Sequence, residues 1–312
     1  MSAQTFAIRI ARLQSSLAQR LDDPSVVIEP YREGIDSWVD LVHRANRADA
    51  IVRSAKIELR PTRYEGLVDY GKVIEKEVVV SRLFRQHNLP TPEVIAWRHS
   101  RDPESEPSWM LMEFVPHVTV EKLSAECQRE LGSFARRIHA IKPSGDDLDQ
   151  LGSVSSWHEW IRQRILTRVA AAERYMPASP REHVDRLLRS ALSTRPDYHD
   201  SLLHLDLREP NLAIRDDRII AIFDLANALV GDPYLELGRI RGCGLLTPEF
   251  LAGYGEPVRN LERNQPALDA YELDLTALLV VVSREETDDD FLHRAMIRRT
   301  TYLLERLERN IQ

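Results

Sequence analysis

The sequence predicts an α+β fold in which a β-rich first third precedes a mainly helical remainder. Near the N-terminus, three short apolar runs alternate with polar turns, which is typical of antiparallel strands. After Pro116, most apolar segments instead recur with the helical spacing of three to four residues. We expect this change, near residues 115–118, to divide the chain into an N-terminal lobe, residues 1–115, and a C-terminal lobe, residues 116–312.

The chain is predicted to begin with one helix and a three-stranded meander. Apolar residues between Ala7 and Leu21 recur every three to four positions, and the arginines inside that pattern are unlike the apolar core of a signal peptide. The next three runs predict strands because each is short, apolar and bounded by polar turns. They are Val26–Ile28, Trp38–Val42 and Ala50–Ser54.

A second helix and two further strands complete the first part. Lys72–His87 has helical periodicity, and the two prolines of the following NLPTP segment end the helix because proline cannot continue it. Glu93–Trp97 is predicted to be a strand, and Trp109–Val115 (WMLMEFV) a strongly buried strand.

Helices are predicted for most of the second part, with one interruption. Leu212–Ile214 and Ile219–Phe223 are apolar runs joined by the turn-like segment RDDR, and this pattern predicts a β-hairpin. The predicted helices are Val120–Ile141, Trp157–Tyr175, Pro180–Leu192, Tyr234–Arg241, Pro248–Tyr254, Gln265–Arg284 and Phe291–Arg309.

The composition predicts a globular protein that binds neither nucleic acid nor a membrane. Hydrophobic residues make up 43% of the 312 residues and charged residues 29%, which allows a sizeable core. The net charge of −7 disfavours a nucleic-acid partner, because a phosphate backbone calls for a basic face. The longest apolar run, Leu275–Val282, is too short to span a bilayer. Because Cys127 and Cys243 form neither a disulfide framework nor a metal-binding pattern, we expect a cytoplasmic protein. A monomer or a dimer is expected.

Three polar side chains lie at the edges of the hairpin's apolar runs. Asp206 and Asn211 precede the hairpin, and Asp224 follows its second strand. When the hairpin folds back, Asp224 comes alongside Asn211. Carboxylate and amide oxygens suit Mg²⁺, which usually binds one or two carboxylates together with substrate phosphates, and a further carboxylate can orient a hydroxyl nucleophile. The set therefore predicts phosphoryl transfer, in which catalysis depends mainly on positioning and on charge neutralisation.

The pattern H-x-D-x-x-x-x-N of residues 204–211, followed by a hairpin and an aspartate, resembles the catalytic and metal-binding loops of the protein-kinase-like fold. The next segment, ANALVGDPYLELGRI, is similar to part of the aminoglycoside phosphotransferase, or antibiotic kinase, family. Weaker similarities follow in the family's order along residues 25–245, among them NLPTPEVIAW and LGSFARRIHAIKPSG. The resemblance implies a bilobal protein-kinase-like fold, with an antiparallel sheet in the N-terminal lobe and a mainly helical C-terminal lobe.

The resemblance also implies roles for the residues of the catalytic loop. Asp206 would orient the substrate hydroxyl and accept its proton, while Asn211 and Asp224 would hold Mg²⁺ on the β- and γ-phosphates. His204 is counted with the catalytic residues, and it is expected to brace the loop by hydrogen bonding rather than to take a proton. Two positions depart from the family's pattern: Leu205 stands where glycine is usual, and Glu236 stands where aspartate is commoner.

A site for ATP or GTP is implied in the N-terminal part. Glu77 matches the helix glutamate that pairs with a phosphate-binding cation, and the segment IVRSAK offers either Arg53 or Lys56 as that cation. Arg53 is favoured because it shares a strand face with Ile51, and an arginine can bind phosphate through two parallel hydrogen bonds.

Two further parts of the nucleotide site are implied. The strand that ends near Pro116 is similar to the hinge between the lobes, so the backbone at Glu113 and Val115 would contact the adenine or guanine edge. The loop that covers the phosphates keeps one glycine, Gly34, and the hydroxyl of Ser37 could donate a hydrogen bond to a phosphate.

Four residues are weighed as contacts to the acceptor. Glu285, Glu286 and Asp289 form a late acidic run, which in helical antibiotic kinases can receive a cationic substrate. The alternative is that Thr287–Asp290 caps the last helix, where negative charge is favourable. Trp157 either helps to wall the acceptor pocket or lies in the core.

These features predict a small-molecule O-phosphotransferase that moves the γ-phosphate of ATP or GTP to a substrate hydroxyl. An antibiotic acceptor, such as an aminoglycoside or a macrolide, is expected first, because the GID loop and the arginine on the third strand look most like antibiotic kinases. Phosphorylation of that acceptor would confer antibiotic resistance. The alternatives are a metabolite kinase, acting on choline, methylthioribose or a similar compound, and a nucleotide-binding pseudokinase.

Overall fold

The computed structural model describes residues 3–100, 106–118, 120–152, 154–197 and 200–310. Within these ranges the predicted α+β architecture is confirmed. An antiparallel sheet forms in the first part of the chain, and helices make up most of the second part. A cleft separates the sheet from the hairpin and loops of the second part.

The predicted meander and the two later strands form one sheet. The strands are β1 Val27–Glu33, β2 Ser37–His43, β3 Ala50–Ala55, β6 Val94–Arg98 and β7 Trp109–Glu113. They pair antiparallel in the order β1-β2-β3-β7-β6. Helix α1 (Ala3–Leu21) covers one face, because its apolar stripe, including Leu13 and Leu17, is buried against Trp109 and Leu111 of β7. The opposite face of the sheet is left for the second helix.

Helix α2 (Tyr70–Gln86) packs on that opposite face. Alternation along β7 directs Met110 away from α1, and it is buried with Tyr70 and Ile74 of α2. The helix begins where the Asp69 side chain caps it by accepting a hydrogen bond from the Lys72 N–H at 3.2 Å. A hairpin that the sequence did not predict leads into it, made of β4 (Leu59–Thr62) and β5 (Gly66–Asp69).

Within its described residues, the second part contains all the predicted helices and two short additional ones. Helix α10 (Gln265–Glu285) lies centrally and packs against α5 (Trp157–Ala172), α7 (Pro233–Gly242) and α11 (Asp290–Arg309), which explains why it is buried on most sides. The predicted start of α3 at Val120 was too early, because the Ser124 side chain caps the helix by accepting from the Cys127 N–H. The bounds are α3 Ala125–His139, α4 Asp146–Leu151, α5 Trp157–Ala172, α6 Arg181–Leu192, α7 Pro233–Gly242, α8 Pro248–Tyr254, α9 Val258–Arg263, α10 Gln265–Glu285 and α11 Asp290–Arg309.

Two small ribbons support the loops of the second part. The predicted hairpin is confirmed as β9 (Leu212–Arg215) paired with β10 (Arg218–Ile222), and its turn residues Asp216 and Asp217 both have positive φ, as a tight hairpin turn requires. Strands β8 (Ser201–Leu203) and β11 (Leu229–Gly231) form the second ribbon, which was not predicted.

Among the described residues, none of the helices combines the length and the apolar character that crossing a bilayer requires.

Candidate active site

A cleft of about 260 Å³ lies between the five-stranded sheet and the β9–β10 hairpin. Val39 and Ile51 line it from the sheet, and Ile222 and Phe223 line it from the hairpin side. Met112 of β7 also lines the cleft. Two apolar walls of this kind suit a flat aromatic ring, which gains by stacking and by leaving water.

A buried ion pair closes one end of the cleft. The Arg53 guanidinium contacts the Glu77 carboxylate at 2.7 Å and lies 3.9 Å from the Asp224 carboxylate. Burial raises the pKa of Glu77. For Arg53, burial acts to lower the pKa of the guanidinium, but Glu77, Tyr70 and Asp224 outweigh it, so that the pKa is raised. Arg53 therefore remains a cation inside the cleft.

Lys56, the alternative cation, points to a different place. Its ammonium group contacts Glu33 at 2.6 Å and lies 4.7 Å from the centre of the Trp38 ring. Of the two, Arg53 is the one that lines the cleft.

His204 uses both ring nitrogens to brace the catalytic loop. Its Nδ1 accepts a hydrogen bond from the Asp206 N–H at 3.1 Å, so the proton is assigned to Nε2, which donates to the Phe223 carbonyl at 3.0 Å. The side chain is completely buried. These contacts favour a bracing role for His204, because a second ring proton would break the bond from Asp206.

Leu205 adopts a left-handed backbone conformation, with a φ of 66°. A leucine in this region costs roughly 1–2 kcal/mol, whereas glycine adopts it freely. Two side chains hold the strained turn. The Glu236 carboxylate accepts from the Leu205 N–H at 2.7 Å and from the His204 N–H at 3.1 Å, and Arg239 donates to the Leu205 carbonyl at 2.8 Å.

Glu236 remains ionised although it is fully buried. Burial acts to raise its pKa, but the hydrogen bond with His139 at 2.8 Å and the neighbouring His204 outweigh burial, so the pKa is lowered. The sequence drew attention to Glu236 only as a departure from the family's usual aspartate. Its support of the catalytic loop was not predicted, because the residues it contacts are about thirty positions away.

Asp206 and Asn211 are joined by hydrogen bonds. The Asn211 amide nitrogen donates to the Asp206 carboxylate at 2.6 Å and to its carbonyl at 2.9 Å. Arg208 donates to the other carboxylate oxygen of Asp206 at 2.8 Å. Each carboxylate oxygen thus has a donor that fixes its direction, and the amide oxygen of Asn211 does not take part in these bonds.

The hairpin brings Asp224 to Asn211, as the sequence predicted. The Phe223 N–H donates to the Asn211 carbonyl at 2.8 Å, and Asp224 follows with a φ of 57°, a conformation that aspartate tolerates better than most residues. Its side chain is 39% exposed, so it is accessible from the cleft. The described residues contain no group of three or more His, Cys, Asp or Glu side chains that could hold a metal ion. A site of one carboxylate and one amide instead fits Mg²⁺, which takes its remaining ligands from phosphates and water.

The predicted hinge and loop residues line the same cleft. Glu113 and Val115 lie along one edge, where the Glu113 N–H donates to the Glu93 carbonyl at 2.9 Å and the His117 ring donates to the Val115 carbonyl at 2.7 Å. Ser37 also lines the cleft and is 5% exposed.

The late acidic run is already paired within the chain. Asp289 caps α11 by accepting from the Leu292 N–H at 2.9 Å, as the capping alternative predicted. Glu286 accepts from Tyr64 and pairs with Arg60, both from the region of the β4–β5 hairpin. Glu285 accepts from the Tyr175 hydroxyl at 2.8 Å.

Trp157 lies in the core. It is completely buried, donates from its ring nitrogen to the Tyr271 hydroxyl at 2.9 Å, and stacks on Trp160 with ring centres 5.2 Å apart. The alternative that placed Trp157 in the core therefore describes its position, and the ring has no exposed surface to offer a substrate.

A buried charge network, which the sequence did not predict, lies beside the catalytic loop. Asp274 of α10 is fully buried and contacts Arg168 at 2.7 Å, Arg239 at 3.1 Å and Arg164 at 3.2 Å. Glu65, from the β4–β5 hairpin, contacts Arg164 at 3.1 Å and also pairs with Arg168. We call these five residues the arginine network. Its members come from four distant segments, so no local pattern marks it.

The pKa values in the network follow from its charges. Burial lowers the pKa of Arg168 to about 10, with Arg164 and Arg239 adding to the effect and Asp274 opposing it. Burial acts to raise the pKa of Asp274, but the three arginines outweigh it and hold that pKa at about 2. For Glu65, burial is outweighed in the same way, so its pKa is lowered.

Comparison with known proteins agrees with this geometry. A family model described as the phosphotransferase enzyme family matches residues 28–271. No curated protein sequence matches the chain significantly.

Solved structures share the fold at low sequence identity. The aminoglycoside phosphotransferase APH(4)-Ia is 18% identical with a TM-score of 0.66, over 95% of this chain and 98% of that one. Macrolide 2'-phosphotransferase MphH from Brachybacterium faecium is 18% identical with a TM-score of 0.58, over 91% and 95%. A candidate fructosamine-3-kinase from Haemophilus somnus 129PT is 15% identical with a TM-score of 0.69, over 94% and 96%. At these identities the similarity establishes the protein-kinase-like fold.

Proposed function

We propose that this chain, which belongs to the phosphotransferase enzyme family, transfers the γ-phosphate of ATP to a hydroxyl group of a small molecule. One observation carries the proposal: the Arg53–Glu77 pair and Asp224 line an apolar cleft, and the Asp206–Asn211 pair adjoins them through the hydrogen bond from the Phe223 N–H to the Asn211 carbonyl. A phosphate-binding cation, metal ligands and a base for the hydroxyl are the groups that phosphoryl transfer needs.

The cleft would bind the nucleotide. The base of the nucleotide would lie between Val39 and Ile51 on one side and Phe223 on the other. The backbone near Glu113 and Val115 would contact the edge of the base. Arg53 would hold the phosphates. ATP is proposed over GTP because APH(4)-Ia, which shares the fold, has been crystallised with ADP and with AMP-PNP.

Asn211 and Asp224 would hold Mg²⁺. A carboxylate and an amide oxygen are hard ligands that suit this ion, and when bound it would neutralise part of the charge on the phosphates. The rest of the binding set would come from the nucleotide itself.

Asp206 would act on the acceptor. The hydroxyl oxygen would form a bond to the γ-phosphorus as the bond to the oxygen of ADP breaks, and the hydroxyl proton would pass to the Asp206 carboxylate. Asn211 and Arg208 would keep that carboxylate aimed, since each donates to one of its oxygens.

The acceptor is proposed to be a metabolite, although the sequence favoured an antibiotic. APH(4)-Ia has been crystallised with hygromycin B, and APH(2")-IIa with gentamicin, both of which are antibiotic complexes. In this chain Glu285 and Glu286, the carboxylates expected to receive a cationic antibiotic, are paired with its own arginines and tyrosines. An antibiotic acceptor that confers resistance remains the second candidate, on the strength of the resemblance.

A phosphorylation screen tests the proposed function. The purified protein would be incubated with MgATP or MgGTP and separate antibiotics and hydroxyl-bearing metabolites, and products would be detected by mass spectrometry. We expect a phosphorylated product in the presence of MgATP. If MgATP stabilises the protein against heat but no acceptor is phosphorylated, the pseudokinase alternative is favoured. If MgATP has no effect on thermal stability, the nucleotide site is wrong.

A further inference from the structure

Positive charge exceeds negative charge within the arginine network. In the arginine network, Arg164, Arg168 and Arg239 share the two carboxylates of Asp274 and Glu65. The surplus is buried: Arg168 is fully buried and Arg239 is 5% exposed, and the Nε atom of each lacks a hydrogen-bond partner among the described residues. Uncompensated buried charge costs stability, so a network of this kind is normally completed by a counter-ion.

Lys76 adds a fourth cation to the same place. It precedes Glu77 on α2, and the groups that act on its charge are Glu65, Glu77, Arg164 and Asp224. Its ammonium group makes no ion pair within 4.0 Å with any described residue, although the side chain is half-buried. Burial lowers the pKa of Lys76, and Glu65, Glu77 and Asp224 oppose that effect. Lys76 is thus a half-buried lysine whose ammonium group has no ion-pair partner among the described residues.

The network lies next to the reacting groups. Arg239 donates to the carbonyl of Leu205, which is the residue before Asp206. Arg164 lies over the ring of Trp160, 5.3 Å from its centre, and 17% of its side chain is exposed. Asp224 and Arg164 are both close enough to act on the charge of Lys76, and Arg239 joins the arginine network to the catalytic loop, so these cations adjoin the proposed reacting groups.

We propose that the acceptor carries an acidic group, a carboxylate or a phosphate, which Lys76 and Arg164 bind while Asp206 receives the hydroxyl. The inference rests on the proposed function and names the class of its substrate. An oxyanion with its charge near these cations would complete the network, because hydrogen bonds from a cation to an oxyanion are among the strongest in proteins. A polycationic aminoglycoside would meet like charges in the same place, which disfavours binding.

A direct test uses sulfate as an anion probe. AMP-PNP is bound first, so that sulfate cannot occupy the position of the γ-phosphate. The thermal midpoint of the protein saturated with MgAMP-PNP would be followed as sulfate replaces chloride at constant ionic strength. We expect a saturable rise in Tm for the wild type. Lys76→Met should need about tenfold more sulfate, since one charged hydrogen bond is lost. Lys72→Met removes an exposed lysine one turn earlier on α2, and it should behave as the wild type does.

Two results of this titration would overturn the inference. The first is an equal rise in Tm with sulfate in the wild type and in Lys76→Met, whether or not MgAMP-PNP itself raises the Tm. The second is a loss of response that Lys72→Met reproduces. Arg164→Gln provides an independent variant, and it should weaken the sulfate response as Lys76→Met does. Failure of the proposed function would be seen separately, because MgAMP-PNP would then leave the wild-type Tm unchanged before any sulfate is added.

Matched acceptors extend the test to turnover. Glycerate against glycerol, gluconate against glucose and kanamycin as a cationic comparison would be assayed for ADP formation with MgATP. We expect kcat/KM to be at least about tenfold higher for the acid member of a pair that is turned over, and Lys76→Met to remove most of that preference. Efficient turnover of kanamycin, unchanged by Lys76→Met, would support the phosphotransferase and contradict the acidic acceptor.

Discussion

The side chain of Arg53 shows how one residue can be placed by its partner. Arg53 lies on β3 and Lys56 follows the end of that strand, and the contact that separates them is the buried carboxylate of Glu77, 2.7 Å from Arg53. Strand alternation favoured Arg53 over Lys56 because Arg53 shares a face with Ile51, and the family resemblance implied Glu77 as its partner. The opposite course of Lys56, toward Glu33 and Trp38, depends on residues that no local pattern connects to it.

Arg53→Met should raise the KM for ATP by about tenfold or more, because a charged contact to phosphate is lost. Lys56→Met should leave that KM unchanged. Since Arg53→Met also leaves Glu77 unpaired, the single variant should lose roughly 3 kcal/mol of stability. The double variant Arg53→Met/Glu77→Gln should recover stability but not the KM, as measured by denaturant unfolding and steady-state kinetics. A normal KM in the double variant would show that Arg53 does not contact the nucleotide.

Glu236→Gln should disturb the catalytic loop. Its two oxygens accept from the His204 and Leu205 N–H groups, and an amide nitrogen in place of one oxygen would face a donor. We expect a loss of roughly 3 kcal/mol in the free energy of unfolding and a fall in kcat larger than any change in KM for ATP. Glu262→Gln, at an exposed position on α9, is the matched control. Equal stability of both variants would mean that Glu236 does not hold the left-handed turn at Leu205.

At the scale of elements, local periodicity predicted most helices and strands, whereas ion pairs between distant residues could not be predicted. The meander, α2 and the β9–β10 hairpin follow from local patterns, and each is present in the structure. The β4–β5 hairpin was missed because Leu59 and Leu67 are exposed, so it lacks the alternation of a half-buried strand. Ion pairs instead connect the hairpin to distant parts of the chain. Arg60 pairs with Glu286, and Glu65 pairs with Arg164 and Arg168. Sequence spacing carries no information about such contacts.

Helix α10 should make the protein sensitive to acid through Asp274. The pKa of this carboxyl is held at about 2, below its usual value of 3.8, so the group contributes stability above the unfolded value. That contribution, about 2 kcal/mol, should be lost as the pH falls from 4 toward 2. The measurement is the free energy of unfolding of the wild type minus that of Asp274→Asn, followed against pH. A difference that stays constant over this range would contradict the linkage.

At the scale of the whole molecule, the sequence predicted a fold and a chemistry, but it did not predict the positive charge of the acceptor site that we propose. The collinear motifs indicated a bilobal kinase-like architecture, and the family match and the structure agree with it. The net charge of −7, taken alone, was compatible with a cationic substrate. The arginines of the network instead come from α5 and α7, so their surplus over the carboxylates exists only once those helices pack against α10.

The two parts of the chain contribute different groups to the proposed site. We propose that the lobes join near residues 115–118, just after β7 ends and where the chain runs along the edge of the cleft. Arg53 and Glu77 then belong to the first lobe, whereas Asp206 and Asp224 belong to the second. Catalysis would require the two lobes to be held in register, and the pairing of Glu65 with Arg164 supplies one contact between them.

The central claim is that Asp206 is the base for phosphoryl transfer from ATP. The most direct measurement is the rate of transfer by Asp206→Asn relative to the wild type, on an acceptor found by the phosphorylation screen, with stabilisation by MgATP measured in parallel. The claim predicts a fall in kcat of about 10²–10⁴-fold with stabilisation by MgATP retained, and no change for Asp216→Asn in the exposed hairpin turn. Wild-type turnover by Asp206→Asn would contradict it.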